Sequence, residues 1–240
     1  MKLGRTPKRI DKRTFKLARY MPALPPLPTA IDWSGHVPDW GELGNDTVGD
    51  CTCAAAGHLE MLWTSQASTE YIPSTADVLA AYSAITGYNP DDPTTDQGAN
   101  MLDVLNFWRN AGIAGHKIKA YAAVNPANVP QIKATVALFG GLYAGVNLPQ
   151  SAIDATLAGQ PWTNVNDNNI AGGHAIPIVS YNLTSLTCIT GGQKQIMTWG
   201  WLAKYMDEAY CVLSQDWFKP GGLTPSGFNM QTLNNDLQPL

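Results

Sequence analysis

Cys51 and His174 are the two residues whose types and settings suit them best to chemistry. Cys51 follows a Gly49-Asp50 turn and opens a stretch, about 51–65, in which Ala54, Ala55, Leu59, Leu62 and Trp63 recur at helical spacing. A thiol in the first turn of a helix faces unpaired backbone N–H groups and the positive end of the macrodipole, which favours the thiolate. The dipole supplies only about 0.3–1 kcal/mol, less than one pKa unit, so a nucleophilic sulfur here needs a histidine partner. His58 lies seven residues further along the same helix face, roughly 10 Å up the axis, too far for proton transfer. It reads as a packed helix histidine, and His36 and His116 sit in no motif. His174 differs: in Gly172-Gly173-His174-Ala175-Ile176-Pro177-Ile178-Val179-Ser180-Tyr181 it stands at the mouth of an apolar strand, where a ring can be held rigidly beside a cleft. Asp50 reads as the helix N-cap, its oxygen turned to the N–H of Thr52 or Cys53. Cys53, about 200° around the helix from Cys51, reads as core.

The elements that must bring these two together divide the chain in half. Further helices are expected over about 76–86, capped by Ser74 or Thr75 and ended by Gly87, and over about 101–110, closed by Gly112. Beyond Gly115 the β-formers dominate, with strand candidates at 117–124, 141–148, 175–181, 186–190 and 210–214. Helices at about 129–138 and 151–157 interrupt them. Helices followed by strands in blocks argue for an α+β fold whose two lobes share a cleft. The expected organisation is a basic arm at 1–22, then one domain at 23–240. That domain comprises a helical lobe at about 45–114, a β-rich lobe at about 115–214 and a tail at 215–240.

Composition narrows the function classes. A chain of 240 residues with 45% hydrophobic and 14% charged residues buries a sizeable core without staples. Four scattered cysteines fit a reducing compartment better than a disulfide framework or a zinc ribbon. No apolar run is long enough to span a membrane, and the basic start lacks the apolar core of a signal peptide. The first 20 residues hold eight Lys or Arg against Asp11 alone, net +7, which leaves −11 on residues 21–240. So acidic a body disfavours nucleic acid as the main ligand. The arm, on a connector containing Pro22, Pro25, Pro26 and Pro28, reads either as a solvated tail or as a docking strap for an acidic partner surface or polyanion. No metal-binding run, phosphate loop or dinucleotide fingerprint occurs, so no cofactor is expected.

Several segments together resemble the papain family of cysteine peptidases. They are Ile31-Asp32-Trp33 shortly after Leu27-Pro28, Gly49-Asp50-Cys51 opening a helix, Gln97-Gly98 before a helix ending near Gly112-Ile113, and Gly173-His174-Ala175 leading a strand to Tyr181. The resemblance covers about residues 27–214 and implies a helical lobe and a β-rich lobe with the active-site cleft between them. It implies Cys51 as nucleophile and His174 as base and then acid. Asn45 stands where the family usually has an oxyanion-binding Gln, and Gln97 with Gly98 resembles the stretch that pairs with a bound peptide. The sequence departs from the family at Thr52, where a Trp is usual, and at Val48, where a disulfide Cys is usual. The His-orienting Asn of an Asn-Ser-Trp-Gly run has no direct counterpart. Thr190, sixteen residues after His174, and Gln193 are the candidates for that place, while Thr198-Trp199-Gly200 echoes the run and otherwise reads as aromatic packing. About 22 residues precede the connector, fewer than the family's long inhibitory propeptide.

The expected function is therefore hydrolysis of peptide or related amide bonds through a Cys-His dyad and a thioester. It depends on a sulfur open to solvent and facing His174 across the groove. A non-catalytic papain-fold component of an assembly such as a phage particle, docked through its arm, is the alternative. A lysin acting on the peptide stems of peptidoglycan would use the same dyad, without any evident wall-binding module.

Overall fold

Each helix of the first half has a local reason to begin where it does. The computed structural model describes residues 1–21, 24–67, 70–219 and 222–227. Helix α1 (Cys51–Ala67) starts from the Asp50 carbonyl, which accepts the N–H groups of Cys53 and Ala54 at 2.7 and 3.0 Å. Helix α2 (Thr75–Thr86) opens on a capping box between Ser74 and Asp77 and closes at left-handed Gly87, and α3 (Met101–Asn110) is capped by Asn100. Almost every residue of α1 is buried, so it is a central helix with no solvent face. Trp63, stacked on Trp108, ties α1 to α3, and the Tyr143 hydroxyl donates to the Thr52 carbonyl at 2.8 Å, tying α1 to the sheet.

Among the described residues the sheet has eight strands: β1 (Phe15–Lys16), β2 (Ile31–Asp32), β3 (Ile118–Ala123), β4 (Leu142–Pro149), β5 (Ile170–Tyr181), β6 (Ser185–Thr190), β7 (Gln193–Thr198) and β8 (Met206–Ser214). Their order is β1-β3-β8-β4-β5-β6-β7, with β2 also paired to β5, and all neighbours are antiparallel except β1 with β3. Helices α1 to α3 share one core with the sheet. Helices α4 (Val129–Phe139) and α6 (Trp199–Tyr205) share a second core with Trp162 and Trp201, where α5 (Gln150–Leu157) also packs. The result is the α+β fold expected, though the short strands β1 and β2 precede α1 and three helices lie among the later strands.

Three local features differ from expectation. Strand β5 begins at Ile170, so His174 lies inside the strand, opposite Val146 of β4, and not at its mouth. Strand β7 and helix α6 were not anticipated, because Gln193–Thr198 is polar and its pairing depends on a tight turn. That turn is the two-residue loop Gly191-Gly192, with φ of 53° and 67°, a left-handed pair that closes a twisted hairpin. Thr198 caps α6 through its hydroxyl, and Trp199 packs with Tyr181, its indole donating to the Asn182 carbonyl. Among the described residues no helix is long and apolar enough to cross a membrane. Of the expected tail 215–240, residues 220–221 and 228–240 lie outside the described residues, as does Pro22 of the connector.

Candidate active site

Strand β5 delivers His174 to the N-terminal end of α1, where Cys51, Asn45, His174 and Thr190 line one small pocket. The Ala175 backbone amide, next to His174, faces the Cys51 sulfur. His174 is 1% exposed, and its Nε2 lies 2.8 Å from Thr190 Oγ1. The Thr190 hydroxyl itself donates to the Met1 sulfur at 3.0 Å, so toward the ring it acts as acceptor. An imidazole proton on Nε2 fits this contact and leaves Nδ1 as the base; Nδ1 has no hydrogen-bond partner among the described residues. Burial pushes His174 down to about 3 and Cys51 up to about 11, so in this closed form both are neutral.

Asn45 is buried at the same spot. Its Nδ2 donates to the carbonyls of Lys2 and Val48 at 2.8 and 3.1 Å and to Asp50 Oδ1 at 3.2 Å. The Asp50 carboxylate therefore turns to Asn45 and not, as expected of a cap, to the N–H of Thr52 or Cys53. Fully buried, it is pushed up to about 7 by desolvation, against the Asn45 hydrogen bond, so near neutral pH it carries only part of the charge that would repel the sulfur. His58 contacts the Gly41 carbonyl at 2.9 Å, and burial lowers it to about 4, a packed neutral ring as expected. Cys53 is core.

The Cys51 sulfur is not open to solvent. The side chain is 1% exposed, and what covers it is the chain's own N-terminal arm. Residues 1–6 run between the lobes outside any named strand, with Arg5 forming an isolated bridge to Ala99. Lys2 N–H donates to the Asn45 carbonyl at 2.5 Å, Ala99 N–H to Gly4 O at 2.8 Å, Thr6 N–H to Ala99 O at 3.0 Å, and Arg5 N–H to Gly173 O at 3.1 Å. The Gly4 amide faces the Cys51 sulfur. The approach is close enough that a Cβ on Gly4 would strike the Gly49 carbonyl, and one on Gly98 would strike the Gly4 carbonyl. Gly98 thus borders the chain's own arm, while the backbone that pairs with the arm is that of Ala99. Gln97 is exposed at the edge of the pocket that the arm lines with Gly172 and Gly173, its side chain donating to the Thr94 carbonyl at 2.7 Å.

The arm meets carboxylates of its own body. Lys2 Nζ lies 2.6 Å from Asp96, Arg5 2.8 Å from Glu208, and Arg9 2.6 Å from Asp103. Asp96 is a junction: it also accepts from the Gly49 N–H at 2.9 Å and the Tyr82 hydroxyl at 2.6 Å. Burial works against its charge but is outweighed by these hydrogen bonds, which hold it below the usual carboxylate range. Gly4, Arg5, Asp96 and Glu208 were not singled out from the sequence. The one available signal was the opposite charge of arm and body, which fits a strap closed on its own chain as well as one awaiting a partner.

This architecture is that of the papain-like cysteine proteases. The chain resembles xylellain, a cysteine protease from Xylella fastidiosa, with a TM-score of 0.67 at 17% identity over 88% of this chain and 96% of that one. It also resembles procathepsin B from Trypanosoma congolense, with a TM-score of 0.62 at 9% identity over 89% and 87% of the two chains. The bromelain protease from Ananas comosus gives 0.53 at 12% identity, covering 79% of this chain and all 100% of that one. No family model matches the sequence, and no match was found among curated proteins.

Proposed function

We propose that the protein hydrolyses peptide or closely related amide bonds, with Cys51 as nucleophile and His174 as base and then acid. The observation that carries this reading is His174, held through Nε2 by Thr190 with Nδ1 free, in one pocket with Cys51 and Asn45. The Cys51 proton passes to Nδ1 and the sulfur attacks the amide carbonyl. The oxyanion takes hydrogen bonds from Asn45 Nδ2 and the Cys51 N–H. The imidazolium then protonates the departing amine as the C–N bond breaks, leaving a thioester. A water that gives its proton to Nδ1 attacks the thioester, releases the acid and restores the thiol. The Lys2 carbonyl on Asn45 occupies the place this assigns to the reacting oxygen.

The pair is neutral in the closed chain because it is dry, so turnover requires the arm to withdraw and admit substrate. The experiment is turnover of fluorogenic peptide amides by Gly4→Ala, whose arm cannot reseat against Gly49, beside Gly4→Ala combined with Cys51→Ala or His174→Ala. Hydrolysis lost in both double variants supports the proposal. No hydrolysis by Gly4→Ala, or hydrolysis that survives loss of Cys51, overturns it. The assembly reading also needs the arm released, since Lys2, Arg5 and Arg9 are engaged within the chain, and it predicts no hydrolysis by Gly4→Ala.

A further inference from the structure

Arg5 belongs to the arm yet is only 5% exposed, because two strands far away in sequence enclose its guanidinium. From β8, Glu208 Oε1 accepts from Nη1 at 2.8 Å, and Asp207 Oδ1 lies 2.9 Å from Nη2 as an ion pair without hydrogen-bond alignment. From β4, the Val146 carbonyl and Asn147 Oδ1 accept from Nη2 at 3.2 and 3.0 Å. The second oxygen of Glu208 accepts the Tyr210 hydroxyl at 3.0 Å. Gly145 makes the room: a Cβ there would come within 2.9 Å of Arg5 Cδ and 2.7 Å of Glu208 Cγ.

Such a pocket is shaped for a planar, permanently charged fork. A carboxylate as buried as Glu208 requires a cation, and several acceptors spread around it suit guanidinium better than ammonium. The Arg5 backbone is meanwhile held on both sides by main-chain bonds alone, to Gly173 and, through its neighbours, to Ala99. Main-chain pairing with a side chain in a pocket is how extended peptides are bound sequence-selectively. The preceding residue, Gly4, faces the Cys51 sulfur, so the pocket stands beside the proposed nucleophile.

We infer that the pocket of Glu208, Asp207 and Asn147 selects peptide substrates by an arginine side chain, and that Arg5 fills it in the closed chain. The inference rests on the peptidase reading for its biological meaning, but binding tests it without catalysis. The probe is an acetylated, amidated peptide of residues 3–7, Leu-Gly-Arg-Thr-Pro, beside its citrulline analogue, which keeps the shape and loses the charge. The host is the full chain carrying Cys51→Ala and Arg5→Ala. The arginine peptide is expected to bind at least tenfold tighter than the citrulline peptide, and adding Glu208→Gln is expected to reduce that preference below twofold. Equal affinities, or a preference that survives Glu208→Gln, overturn the inference and leave the pocket an anchor for the arm alone. Should Arg5→Ala unfold, Gly4→Ala with Cys51→Ala vacates the groove with the pocket intact and gives the same readout. Arginine-selective binding with no turnover by Gly4→Ala would sink the peptidase reading and keep the pocket. Turnover indifferent to arginine would do the reverse.

Discussion

His174 Nε2 and Thr190 Oγ1 are 2.8 Å apart, a contact made by the residue that leads into the hairpin turn at Gly191-Gly192. Thr190→Val keeps the volume and removes the acceptor, leaving a buried N–H unpaired at a cost of about 1–3 kcal/mol. Expected results are a lower Tm and, in the Gly4→Ala background, a kcat/KM reduced by tenfold or more. Thr190→Ser should restore both; a Thr190→Val enzyme of unchanged activity would remove Thr190 from the mechanism.

The covered sulfur makes a kinetic prediction. With Cys51 pushed up to about 11 by burial, alkylation by iodoacetamide in the wild-type chain should be slow at neutral pH and climb toward that value. In Gly4→Ala the thiol meets water and His174, so the profile should move to lower pH and Cys51 should label at least tenfold faster at pH 7. Peptide mapping separates it from Cys53, Cys188 and Cys211, which stay buried. Equal labelling of all four would count against a special role for Cys51.

Asn45→Ala removes the side-chain donor proposed for the oxyanion. By comparison with such donors in other hydrolases, kcat in the Gly4→Ala background should fall about 10²–10³-fold with little change in KM. Alkylation of Cys51 forms no oxyanion and should be nearly unaffected. If both rates fall together, Asn45 is a structural support of the loop before α1.

Asp50 makes stability depend on pH in a stated direction. Its folded value of about 7 lies above the roughly 3.9 of an unfolded aspartate, so the native state holds the extra proton between them. The stability it contributes is complete below about pH 4 and is lost as pH rises through 7. Asp50→Asn cannot ionise, so its Tm relative to wild type should increase from pH 4 to pH 8, by up to about 4 kcal/mol in stability. His58 and His174, both lowered by burial, act the opposite way below about pH 6.5, but they are common to both chains and cancel in the comparison. A constant difference across that range would refute the assignment.

Much of the frame was legible in the sequence because its signals are local. Gly49-Asp50 before Cys51, the Ser74 box and Gly87 announce helix ends within four residues of the groups they satisfy. Cys51 and His174 were legible as candidates because a helix start and an apolar strand are settings readable from neighbours, and the structure brings both into one pocket. The role of the arm was not, since Lys2 meets Asp96 and Arg5 meets Glu208 at separations of 94 and 203 residues, and no local pattern encodes such pairs. Asp50 was misread for a related reason: the cap rule supplies a partner within the turn, and burial against Asn45 offered another.

The arm is covalently joined to the groove it fills, so any rival must outcompete a resident whose effective concentration is on the order of millimolar. Closure then needs little intrinsic affinity from Arg5 and the backbone contacts, and a single cut just after residue 7 would turn that segment into a separate peptide that dilution helps a rival displace.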